Sequence, residues 1–209
     1  MLNSTIIIYG AFAGLVAILV TVAIERFGGL VGGVLGTIPS TIVPAAAGVY
    51  LIDGEATLAA SMSIVPLGML INGMFLGVWI IFPRYISNDN AKLPLTTLIS
   101  LITWIILAFT SLIITRFLTN GIITELTLAI IGLCALIALA IVFNLQANEA
   151  PKGVNKVPLL ILSLRGLAAG IAIAVCLWLA ELGLPFIAGL ASAFPAIFLT
   201  SMVALWLSH

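Results

Sequence analysis

Two polar patches inside apolar segments hold the residues that can do chemistry. The first is Thr37, Pro39, Ser40 and Thr41, followed by Pro44; the second is Ser192 and Pro195, followed by Thr200 and Ser201. Proline in a spanning helix lacks an N–H and leaves a carbonyl that hydrocarbon cannot hydrate. Such carbonyls, with neighbouring hydroxyls, can replace part of the hydration shell of an ion or small solute. Asn72, six residues after Pro66 in another apolar stretch, adds an amide that needs partners and faces a bundle interior or a cavity. Glu25 and Glu181 complete the set, each standing between two apolar segments. A carboxylate there either accepts hydrogen bonds from the N–H groups opening the next helix, or takes up a proton or cation as a gate. Glu25 adjoins Arg26, whereas Glu181 has no cation nearby in sequence and is the sharper gate candidate.

The two patches sit in corresponding places of a gapless alignment. Gly10, Ala13, Gly14, Glu25, Gly33 and Pro39 fall on Gly166, Ala169, Gly170, Glu181, Gly189 and Pro195. Glu and Pro are scarce in this chain, so their coincidence carries the match. Interrupted helices in matching places of two halves are the usual pointer to a transporter's central site. Gly28, Gly29, Gly32, Gly33 and Gly36 form a small-residue stripe ahead of Pro39, which also suits close helix contact without any ligand.

The elements that must position these residues are membrane helices. Hydrophobic residues make up 63% of the 209 and charged residues 7%, with a mean hydropathy of +1.37. A soluble domain of this size cannot hide so much apolar surface. The expected class is all-α: a polytopic bundle of about seven spans, near 5–24, 28–52, 58–83, 93–118, 123–145, 158–182 and 183–207. Residues 1–209 form one transmembrane domain, with a first repeat and third span in 5–83, two connecting spans in 84–157 and a second repeat in 158–209. The first apolar segment lacks a basic flank and a cleavage site, and reads as a retained span.

Arg26, Arg84, Lys92, Lys152, Lys156 and Arg165, the last at the start of the sixth span, fall on one side; Arg116 falls alone on the other. The positive-inside rule then puts the N-terminus outside and the C-terminus in the cytoplasm. With that count, the Pro-broken pairs (spans 1–2 and 6–7) have opposite orientations, an inverted-topology repeat. His209 falls opposite Asp53 in the alignment, so the second half has no third helix; either spans four and five fill that place or, the favoured reading, a homodimer closes the bundle.

Several classes are disfavoured. No lysine lies inside a span, the single histidine is His209, and no P-loop, dinucleotide fingerprint or Ser–His–Asp set occurs. Enzymatic activity, a cofactor and a bound metal are not expected. Met62, Met69, Met74 and Cys134 suit gap-filling better than a soft-metal path, and Cys134 and Cys176 suit packing better than a disulfide. Zero net charge without a basic run leaves no reason for a nucleic-acid partner. The segment Ile187-Ala188-Gly189-Leu190, followed by Phe194-Pro195, resembles small bacterial inner-membrane proteins of the GlpM type. That resemblance covers the last helix only and implies an inner-membrane location.

The expected function is a small secondary transporter in the inner membrane. It would move a cation or small neutral solute at a midplane site between spans 2 and 7, with Glu25 and Glu181 as gates. The alternative is a membrane-embedded scaffold or substrate-binding subunit of a larger complex.

Overall fold

A computed structural model describes residues 4–27, 40–119, 123–145 and 159–207. Among them the regular structure is helical: α1 (Ser4–Phe27), α2 (Ile42–Ser63), α3 (Val65–Ile81), α4 (Asp89–Thr119), α5 (Glu125–Asn144), α6 (Leu159–Glu181), α7 (Pro185–Ser192) and α8 (Ala196–Leu207). Five helical stretches are long and apolar enough to cross a membrane: Ser4–Ala23, Ile42–Tyr85, Asp89–Leu118, Leu159–Glu181 and Pro185–Val203. Leu126–Val142 is shorter. Length and composition make the chain a multi-pass membrane protein of helical class.

The second of these stretches departs from the expected boundaries. It runs 44 residues, where about 20 span the hydrocarbon. The loop expected between 52 and 58 is a kink: Gly54, at φ 80° and ψ −166°, sits in a backbone region open essentially to glycine alone. A second interruption follows at Ile64, because Pro66 in the first turn of α3 has no N–H to continue the ladder from α2. Met62 and Met69 therefore lie on different helices and not on one helical face. Residues 28–39 of the expected span 28–52 lie outside the described residues, as do Lys152 and Lys156.

Two apolar clusters build the core. One joins α1, α2 and α6 through Ile6, Val49, Ile173, Cys176 and Leu177; the other joins α3 and α4 through Ile71, Phe75, Trp79 and Trp104, with α8 packed beside them. Helix α7 contributes to both, Ala188 to the first and Leu190 to the second. It is set against α6 by a tight turn in which Gly183, at φ 70°, lets its own N–H and that of Leu184 bond back to Ala180 and Leu179. Isoleucines and Phe109 on α4, with Leu126, Ile130 and Ile141 on α5, stay exposed, as lipid-facing surfaces do.

Helix α1 lies against α6 with backbones nearly touching. A Cβ placed on Gly14 would stand 2.7 Å from the Gly166 carbonyl oxygen, and one on Gly10 would stand 3.1 Å from that of Gly170. Replacing Gly14 by alanine should therefore separate the helices and destabilise the protein by about 1–3 kcal/mol. Thermal unfolding in detergent measures this; an unchanged midpoint would show that the contact is slack.

Candidate functional site

The interruption between α7 and α8 organises the candidate site. Pro195 cannot donate, and the last turn of α7 tightens: Ala193 and Phe194 give their N–H groups to Leu190 and Ala191. The ladder resumes with Leu199 bonding to the Pro195 carbonyl. The Ala193 carbonyl is taken instead by a side chain, the Asn72 amide of α3, which donates to it at 2.8 Å. The amide oxygen accepts from the Trp104 indole N–H of α4, also at 2.8 Å. Asn72 is 3% exposed. Trp104 meets Phe194 edge-on, with ring centroids 5.3 Å apart. Ser192 donates its hydroxyl to the Gly189 carbonyl at 2.6 Å.

Beside the interruption is a cavity of about 40 Å³, bounded by Thr41, Met69, Asn72, Ala169, Ser192 and Pro195 among others. One ordered water needs roughly 10–15 Å³ measured this way, so the space holds a few waters or a small dehydrated ion. Among the described residues its polar groups are the Thr41 hydroxyl at the start of α2, the Asn72 amide, the Ser192 hydroxyl and backbone at the interruption. Such a surface can coordinate a small polar species.

Of the residues singled out from the sequence, Thr41, Asn72, Ser192 and Pro195 come together around this cavity. Ser40 adjoins Thr41, and its buried Oγ has no hydrogen-bond partner among the described residues. Glu181 does not line the cavity: it is the last residue of α6 and is exposed, and no side chain caps α7. Thr37 and Pro39 lie outside the described residues, and so does the side chain of Glu25.

Arg165 is placed differently from its reading as an interfacial charge at the start of a span. Helix α6 begins at Leu159, nearly two turns earlier, and Arg165 is 4% exposed inside the bundle. Its Nε donates to Thr200 Oγ1 at 3.0 Å and an Nη donates to Thr21 Oγ1 at 2.9 Å. The apolar run Leu159 to Leu164 ahead of it is the signal that marks it as intramembrane. Trp104 is the other residue that pattern reading passes over. Among the described residues no group of His, Cys, Asp and Glu is arranged to hold a metal, and both cysteines are free.

The chain matches no family model, no curated protein and no solved structure. Its function has to be read from these residues.

Proposed function

We propose that the chain is a small secondary transporter that binds a cation or small neutral solute in the cavity beside the α7–α8 interruption and works by alternating access. The observation that carries this reading is the cavity itself, where Thr41, Asn72 and the Ser192–Pro195 interruption converge from three separate stretches of sequence. Unwound backbone lining a space at membrane depth is the usual construction of a carrier's binding site.

The α1–α6 contact supports an inverted repeat. In the alignment Gly10 corresponds to Gly166 and Gly14 to Gly170. In space Gly10 meets Gly170 and Gly14 meets Gly166, so exchanging the two halves maps each contact onto the other. A two-fold axis in the membrane plane, passing between α1 and α6, produces that pattern. The same reading keeps seven crossings, with Ile42–Tyr85 counted as parts of two and Leu126–Val142 as one. It also keeps the N-terminus outside, since Arg26, Arg84, Lys92, Lys152 and Lys156 still oppose Arg116 once Arg165 is removed from the count. The membrane assigned is the bacterial inner membrane, and the chain works as a homodimer.

Flux into liposomes containing the purified protein, across a panel of alkali cations, protons and small uncharged solutes, tests the proposal. Uptake above protein-free vesicles is expected for at least one. Absence of any flux, with a second polypeptide co-purifying in fixed ratio, would establish the scaffold or binding-subunit role instead. Within this reading Pro195→Ala restores an N–H and lets the helix close. It should lower flux about tenfold or more while changing stability by less than about 1 kcal/mol. Equal flux at equal expression would reduce Pro195 to a kink.

A further inference from the structure

Arg165 and Thr200 stand on the same helix faces as cavity walls, one turn away from them. Ala169 lines the cavity, and Arg165 lies four residues before it on the same face of α6. Ala196 and Ile197 line it from α8, and Thr200 follows them by four and three residues. The Thr200 hydroxyl, besides accepting from Arg165, donates back to the carbonyls of those two residues at 2.9 and 3.1 Å. Helical side chains lean toward the N-terminus of their helix. The guanidinium thus reaches from Arg165 away from Ala169 and the cavity, toward the end of the bundle where α6 begins and α8 ends. There it meets Thr21, near the end of α1, whose hydroxyl donates in turn to Ala17 at 2.8 Å.

Resting on the carrier reading, we infer that the Arg165–Thr200–Thr21 bridge is the gate that closes the cavity from the membrane face at which α6 begins. It joins α1 of the first helix pair to α6 and α8 of the second, which are the bodies that must part for that face to open. The planar guanidinium presents donors in a fixed fork, so one side chain can serve two hydroxyls at once; a lysine ammonium is a point charge without that geometry. A buried guanidinium in a membrane interior is kept only where it has a task, and spanning three helices below a cavity is one.

The test reads accessibility and needs no knowledge of the solute. In a background carrying Cys134→Ser and Cys176→Ala, the cavity-lining Ala172 is replaced by cysteine. A membrane-impermeant methanethiosulfonate is then applied to each face of oriented vesicles. Arg165→Ala should raise the labelling rate from the face where α6 begins about tenfold or more, the change expected when a closed population becomes an open one. Thr200→Val, which keeps volume and the guanidinium, should raise it in the same direction, and Arg165→Lys should not restore the closed rate. Should Arg165→Ala fail to fold, Thr200→Val decides. Unchanged labelling in folded variants, or an increase from the opposite face, overturns the gate. Increased labelling without flux of any solute keeps the gate and removes the carrier; flux with unchanged labelling removes the gate alone.

Discussion

Replacing Asn72 by leucine should lower the stability of the folded protein by about 2–4 kcal/mol, because it strands two buried groups at once. Leucine has the branching of asparagine and a larger volume, so no cavity forms. The Trp104 indole N–H and the Ala193 carbonyl would each lose a partner at 2.8 Å. Interhelical hydrogen bonds in membranes average only ~0.6 kcal/mol in double-mutant cycles, since the unfolded chain also finds partners. The larger figure is expected here because both partners are fixed in place, one by a helix interruption and the other by its edge-on contact with Phe194. Denaturant titration in mixed micelles, followed by tryptophan fluorescence, gives the value. A loss below about 1 kcal/mol would mean that water from the adjacent cavity replaces the amide. Flux should fall with stability, since Asn72 ties the interruption to α3 and α4.

A methyl group at Gly189 should be the least tolerated small change in the molecule. A Cβ there would overlap the carbonyl oxygen of Ser61 on α2, and Ile64 stands close behind. The obstacle is backbone, which cannot rotate aside as the end of a leucine can. Gly48 is a useful contrast: a Cβ there meets only the tip of Leu177. Gly189→Ala should cost about 3 kcal/mol or more, at the upper end of overpacking, and Gly48→Ala about 1. Size-exclusion profiles and thermal midpoints of the two variants make the comparison. If both behave alike, α2 and α7 are not locked together at Gly189.

The parts of the site that could be read in the sequence are those where a residue contradicts its surroundings. Asn72 in an apolar helix and Pro195 in the middle of a span are anomalies of that kind, and the cavity lies between them. Arg165 is an anomaly too, but a charge a few residues into a span also reads as an interfacial anchor. Only the positions of Thr21, 144 residues away, and Thr200 separate the two readings. The partner of Asn72 could not be read either, because an indole N–H in a spanning helix has no preferred acceptor in sequence. Gly54, flanked by Asp53 and Glu55, has the composition of a boundary, and the backbone leaves helical geometry there. The second break, ten residues on at Ile64, lies within an unbroken apolar run where only Pro66 marks it.

The glycine seam between α1 and α6 has a mechanical consequence. Where side chains interdigitate, one helix can shift on another only by steps, each knob leaving its hole before entering the next. Between Gly10 and Gly170 and between Gly14 and Gly166 the surfaces meet through backbone, whose contact energy varies gradually with displacement. The side chain of Ile18 seated over Gly166 is a knob in a hole, and it sets the step by which one helix can move along the other.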